Sequence, residues 1–402
     1  MTRKIAVADL RVGMYVQDLN CGWMDHPFLR KELALTREDQ IERIRSAGIR
    51  EVYIDPARGI DGPGLDAQEA DREIEQEMVA FAEAEMPKPR QTSFREESEA
   101  ARRIQGEANR LIRDLMQDVR LGRQIDSERV EPVVENITQS ILRNGGALLS
   151  LCRIKNKDDY TFQHSVAVCG LQTAFCRALK MGHEDIHEAG IGGLLHDIGK
   201  TRVPDEILNK PGRLTDDEFA QIKCHVVESR RILEQTPGIS AIAVQVAAQH
   251  HERHDGSGYP LGLKGEEISQ MGQMAAIVDV YDAITSDRCY HKGLEPNEAM
   301  RKIFEWGKFH FNPVLVHAFT RCIGIYPTGS LVRLESGRLA VVIGQCEDNL
   351  LQPLVRAIYC TRRERPLQPL DIDLSRPGPG GDRILYYEKP EAWGIDIASH
   401  LT

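Results

Sequence analysis

A chain of 402 residues, 41% of them apolar, can bury a full core, and its length predicts two or three domains. The formal net charge of −10 excludes a generally basic surface for nucleic-acid polymers or anionic membranes, so a polyanionic substrate must be met by local cations or metal ions. Nine cysteines without a C-x-x-C pair, an opening MTRKIAVADL with no apolar signal core, and no apolar run near the ~20 residues of a membrane span predict a cytoplasmic protein.

The elements divide the chain into four parts. Residues 1–56 alternate short β-favouring runs with one helical segment, REDQIERIRSAG, and predict a small N-terminal α/β module. After the break DPARGIDGPGLD, residues 57–125 are dense in Glu, Arg and Ala and read as a charged linker, a solvated helical connector. From Asp126 onward Val130, Val133, Ile137 and Ile141 recur at helical spacing, with Pro132 in the first turns, and open a helical domain over 126–325. Within it Thr215 and Glu218 form a capping box at the start of a helix running to about 235. Strand patterns return only in the β-rich C-terminal segment, 326–402, where SLVRLESGRLAVVIGQ reads as a hairpin turning at Gly337 and ILYYEK as a further strand. The fold class is therefore mainly α, with a small N-terminal α/β module and a short β-rich end.

Eight of the thirteen histidines lie between positions 164 and 254. His164 lies on an apolar helical stretch, His196 and Asp197 follow the apolar run IGGLL, and His225 sits beside Ile222 and Val226. His250 and His251 end the apolar helix IAVQVAAQ, and Asp279 is flanked by apolar residues in AAIVDVYDAIT. Burying carboxylates and imidazoles in such segments is costly unless they are paired or hold a metal. Five imidazoles and two carboxylates without thiolate suit Fe, Mn, Zn or Ni. Seven donors exceed the needs of one ion and suit two ions sharing a carboxylate, the arrangement used for in-line displacement at phosphorus. His183, His187 and His254 lie in polar surroundings and are read as non-ligands, and Phe304, Trp306, Phe309 and Phe311 as core.

The segments YTFQHS, HDIGK, VPDEILNKPGRLTDDE, HHERHDGSGYP and VDVYDAITSDRCY occur in that order between about residues 155 and 300. Together they resemble the HD-GYP domain, the cyclic di-GMP phosphodiesterase branch of the HD superfamily. The first 56 residues resemble a small domain of unassigned function that often precedes it. The resemblance implies an all-helical metal-binding core with a centre of two or three divalent transition-metal ions, and hydrolysis of cyclic di-GMP to pGpG or GMP by a hydroxide activated between two ions. It implies that His164, His196, Asp197 and Asp279 hold one ion and Asp197, His225, His250 and His251 the other. It further implies that Lys200 and Arg288, assisted by His291 or Lys292, grip phosphate oxygens, and that Tyr259 in the Gly-Tyr-Pro loop stacks on a guanine or faces a partner such as a diguanylate cyclase-type domain.

Three positions depart from the pattern. Tyr160 stands where relatives with a third metal carry a glutamate, which favours a two-metal site; Ser229 replaces a usual glycine, and Cys289 a usual proline. The alternatives to catalysis on cyclic di-GMP are a weakly active or non-catalytic sensor or adaptor, and an HD-type hydrolase with another nucleotide substrate. The intact donor set argues against the first and the Gly-Tyr-Pro loop against the second.

Overall fold

The computed structural model describes residues 2–21, 32–82, 94–153, 160–210, 212, 214–286, 293–346, 349–376 and 382–401. Five short strands open the chain: β1 (Arg3–Ala6), β2 (Tyr15–Asp18), β3 (Leu33–Ala34), β4 (Glu51–Ile54) and β5 (Leu65–Asp66), with α1 (Glu38–Ser46) between β3 and β4. They form an antiparallel sheet in the order β3-β2-β4-β1-β5. Ile41 and Ile44 of α1 bury against Ile5, Val16, Val52 and Ile54 of the sheet. Because β5 pairs with β1, this sheet continues to Asp66, ten residues past the end read from the sequence at 56.

The segment after it is not a solvated connector. α2 (Ala67–Ala82) buries Ile74 and Met78, and α3 (Phe94–Arg120) buries Ala101, Ala108, Ile112, Leu115 and Val119 in the central core. These positions recur at three, four or seven residues and form one helical stripe, with the charged residues on the opposite face. α3 lies along α4 (Ser127–Cys152), which Asp126 caps by accepting from the Glu128 N–H. The ladder of α4 is interrupted at Asn144, whose backbone is non-helical.

The helical body continues through α5 (Tyr160–Ala178), α6 (His183–Leu195), α7 (Asp205–Leu208), α8 (Asp216–Glu234), α9 (Ala241–Gln249), α10 (Gln270–Thr285), α11 (Pro296–Trp306) and α12 (Pro313–Ile323). α8 starts at the predicted capping box, with Thr215 and Glu218 bonded reciprocally. The end of the chain adds β6 (Leu331–Leu334), β7 (Arg338–Gly344), β8 (Leu354–Cys360), β9 (Arg365–Asp373), β10 (Ile384–Tyr387) and α13 (Pro390–Trp393). These strands form an antiparallel sheet in the order β10-β6-β7-β8-β9. Pro366 and Pro369 are tolerated in β9 because it is an edge strand. Leu339, Val341 and Ile343 of β7 join the same core as α3 and α4, so the sheet is fastened to the helices. Phe304, Trp306 and Phe311 are buried in a core of their own with α10 and α12, and Phe309 packs against it. No helix among the described residues is long and apolar enough to cross a membrane.

Candidate metal centre

Five helices deliver the seven predicted donors to one buried point. His164 comes from the first turns of α5, and His196 caps the C-terminus of α6 with Asp197 directly after it. His225 comes from the middle of α8, His250 and His251 from the end of α9, and Asp279 from α10. The chain can leave α6 so close to α8 only because residue 199 is glycine. A Cβ there would lie 2.1 Å from the His225 carbonyl oxygen and 2.4 Å from the Ser229 nitrogen. The Gly199 N–H donates to Ser229 Oγ at 2.8 Å, so the serine ties this turn to α8.

All seven side chains are buried. Asp197 divides its two oxygens: Oδ2 lies 3.3 Å from His196 Nε2 and 3.6 Å from His164 Nε2, while Oδ1 lies 3.2 Å from His225 Nε2 and 3.9 Å from His250 Nε2. Asp279 Oδ1 lies 3.0 Å from His164 Nε2 and its Oδ2 3.6 Å from His251 Nδ1. The donors thus gather into two nests, His164–His196–Asp279 and His225–His250–His251, with Asp197 between them.

Four of the five imidazoles are held in one tautomer. His196 Nδ1 faces the Gly193 carbonyl at 2.8 Å, His225 Nδ1 the Ile222 carbonyl at 2.6 Å and His250 Nδ1 the Ala247 carbonyl at 2.8 Å. A carbonyl only accepts, so each Nδ1 carries the proton and each Nε2 turns an unshared pair into the cluster. His164 does the same by donating Nδ1–H to Asp282 Oδ2 at 2.6 Å. Nε2 of His196 and Nδ1 of His251 are sealed from water without a hydrogen-bond partner among the described residues. Unsatisfied nitrogens facing ionised carboxylates in a dry site fit cations, and outer hydrogen bonds of this kind orient metal ligands.

The electrostatics agree with this reading. Burial pushes the Asp197 carboxyl up, but the Lys200 ammonium and His196 outweigh it and hold it well below the usual carboxylate range. Burial likewise opposes ionisation of Asp279, and the imidazoles around it, His164 foremost, outweigh burial and hold it below the usual carboxylate range. Burial and the neighbouring His196 push His250 down to about 3, and burial with His250 depresses His251. Both imidazoles are therefore neutral at neutral pH, the form that ligates metal. Lys200 Nζ sits 2.5 Å from Asp197 Oδ2, at the edge of the site.

The loop after α9 closes one side. The buried Glu252 carboxylate accepts from the Leu261 and Leu263 N–H groups at 2.8 and 2.9 Å, and the Tyr259 N–H donates to the His251 carbonyl at 3.1 Å. The Tyr259 ring lies 4.7 Å from the His251 ring. Tyr160 stacks on His164 at 5.7 Å between centroids. His183 and His187 pair with Glu135 and Glu131 of α4. Arg288, Cys289, His291 and Lys292 lie outside the described residues. The sequence reading missed Asp282 and Glu252. The signal for Asp282 was its place three residues after Asp279, on the same face of an apolar helix.

The fold and this cluster define an HD domain: the HD-domain family model matches residues 152–315, and a domain of unknown function, DUF3391, matches residues 2–130. Over 396 residues the chain is 43% identical to the cyclic di-GMP phosphodiesterase PA4108 of Pseudomonas aeruginosa, covering 98% of this chain and 94% of that protein. It is 40% identical over 154 residues to the 3′3′-cGAMP-specific phosphodiesterase 1 of Vibrio cholerae, covering 38% of this chain and 36% of that one. Among solved structures, Bd1817, an HDG"Y"P protein from Bdellovibrio bacteriovorus, aligns with a TM-score of 0.46 at 17% identity, covering 79% of this chain and 98% of that chain. The chain belongs to the family of HD-domain cyclic di-GMP phosphodiesterases.

Proposed function

We propose that this protein is a metal-dependent phosphodiesterase that hydrolyses cyclic di-GMP to pGpG, GMP or both. The observation that supports it most is Asp197, a buried carboxylate with one oxygen turned to each of two imidazole nests. In this reading His164, His196, Asp197 and Asp279 hold one divalent ion and Asp197, His225, His250 and His251 a second. The mixed nitrogen and oxygen set suits Fe or Mn, with Zn and Ni also compatible. A bound ion pair supplies Lewis acidity toward a phosphodiester and makes water nucleophilic at neutral pH.

The chain's own residues do the rest. Lys200, beside the shared carboxylate, neutralises phosphate oxygens as charge builds on them. Arg288, assisted by His291 or Lys292, grips the phosphate. Tyr259 walls the pocket against His251. Water oxygen bonds to phosphorus as it gives up a proton, the P–O3′ bond breaks, and the departing 3′ oxygen takes up a proton in turn. Leu261, 64% exposed just beyond the Gly-Tyr-Pro loop, offers an apolar contact to a diguanylate cyclase-type partner. The eight described cysteines are free thiols, which supports a cytoplasmic setting.

The test is incubation of purified protein with Mn(II) or Fe(II) and either cyclic di-GMP or 3′3′-cGAMP, beside Asp197→Ala. The expected result is release of pGpG or GMP by the unaltered chain and none above background by the variant. Tight cyclic di-GMP binding without turnover in fully loaded protein would replace the enzyme with a sensor, and turnover of 3′3′-cGAMP alone would reassign the substrate.

A further inference from the structure

We infer that the N-terminal module is a positioning element of the catalytic site: its turn between α1 and β4, at Gly48, sets the place of the Asp255–Pro260 loop that lies against His251. For its effect on turnover this rests on the phosphodiesterase reading; for its effect on the loop it stands alone.

The seam is tight at one point. Gly48 has φ +76°, and a Cβ placed on it would lie 2.5 Å from Ser257 Cβ and 2.9 Å from Ser257 Oγ. No other residue type fits there without moving the loop or the module. Two residues on, Arg50 reaches Asp255 Oδ2 at 3.5 Å. That guanidinium is 58% exposed, so its ion pair contributes little, and the apposition of Gly48 with Ser257 dominates.

From Ser257 the contact runs to the metal centre in two steps. A Cβ on Gly258 would meet the Arg253 nitrogen at 2.4 Å and the His251 carbonyl at 2.5 Å, so this stretch lies flush on the backbone of the ligand. Tyr259 then bonds that same carbonyl through its N–H and lays its ring over the His251 imidazole. The opposite side of the loop is held by the helical body, where His310 Nδ1 lies 3.3 Å from Asp255 Oδ2.

The module has a firm footing from which to press. Asn20 is buried and left-handed at φ 51°. It donates to Glu305 Oε1 at 2.8 Å and accepts from Trp306 Nε1 at 3.3 Å, both on α11. Glu305 is also paired with Lys4 of β1, and Lys302 reaches Asp18 at 3.3 Å. Buried, partnered polar groups of this kind fix one docking geometry.

The experiment is a double-mutant cycle in the full chain with Gly48→Ala, Ser257→Gly and both. Gly48→Ala drives a methyl into Ser257; Ser257→Gly removes both of the atoms it would strike, while the left-handed strain at residue 48 persists. Expected for Gly48→Ala are faster hydrogen exchange at the amides of residues 256–259, a raised KM for cyclic di-GMP and an unchanged metal content. In the double variant exchange and KM return toward those of Ser257→Gly, while the melting temperature stays low. A purely structural role predicts no such separation, and parallel non-recovery of all three readouts would overturn the inference. Should Gly48→Ala fail to fold, Gly48→Asn carries the same Cβ into Ser257 on a residue that tolerates left-handed backbone, and it is expected to speed the same amides. Unchanged exchange in Gly48→Asn would then overturn it. Exchange needs no substrate, so a protein inactive on cyclic di-GMP would still show whether the module holds the loop.

Discussion

Asp282 accepts the Nδ1 proton of His164 at 2.6 Å, and through that bond it fixes which nitrogen faces the candidate metal centre. Replacing it with Asn keeps an acceptor but removes the charge, and Ala removes both. Outer-shell losses of this kind weaken metal binding about 10–100-fold, so Asp282→Ala is expected to lose metal at lower chelator concentration than Asp282→Asn, and both before the unaltered protein. Equal retention in all three would sink the assignment. Protonation acts on the same side chains. His250 is pushed from 6.5 to about 3 in the fold, so the unfolded chain takes up its proton first as the pH falls. Its contribution to stability is complete above pH 6.5 and lost progressively below it. His251 shifts in the same direction, while Asp197 outweighs burial to raise His196, which opposes the trend. Two depressed imidazoles outnumber one raised, and the metal-free protein is expected to melt earlier at pH 5 than at pH 7.5 in thermal scans; an unchanged midpoint would argue against it. That these seven side chains gather was legible in the sequence because ionisable groups are rarely set in apolar helices without a partner. Asp282 was not, because one more acid beside Asp279 has the look of an ion-pair partner for Arg288.

Ser229 shows how one hydroxyl joins two elements. It is fully buried on α8 and accepts the Gly199 N–H at 2.8 Å, which pins the turn carrying Asp197 and Lys200. A buried amide left without an acceptor costs about 1–3 kcal/mol. Ser229→Ala should therefore lower stability by that order, read from denaturant midpoints, and slow turnover by loosening Asp197 while the other nest stays intact. A variant as stable as the unaltered chain would mean water replaces the hydroxyl. The sequence marked Ser229 as a departure from its relatives, yet its partner sits thirty residues away and is visible only in the fold. The helices around the site were easier to read, since α8 and α9 announce themselves by a capping box and an apolar run. α3 was obscured because its buried stripe is partly alanine, at Ala101 and Ala108, in a segment crowded with Glu and Arg. Charge density on one face hid a modest apolar face behind it.

At the scale of the molecule, α3 decides where the catalytic body begins. Sequence alone placed that start at Asp126, after a connector; yet Ile112, Leu115 and Val119 are almost wholly buried in the core shared with α4 and β7. Glu97 adds a buried carboxylate that accepts from Ser140 and Arg143 of α4, where the Arg143 hydrogen bond and the Ser140 hydroxyl overcome burial to lower its pKa. Removing α3 would expose the far side of α4 and strand Ser140 and Arg143. Burial of three such aliphatic side chains contributes about 4.5–9 kcal/mol at about 1.5–3 each, against a total stability of about 5–15 kcal/mol for an ordinary domain. A chain beginning at residue 126 is therefore expected to aggregate or melt without a cooperative transition, whereas one beginning at residue 94 should melt cooperatively and still bind metal. The longer fragment lacks the Gly48 turn, so its amides at 256–259 should exchange faster than in the full chain even with the metal centre intact. If the shorter fragment proved as cooperative as the longer, α3 would be a dispensable cover, and the module could act on the site only through the seam at Ser257.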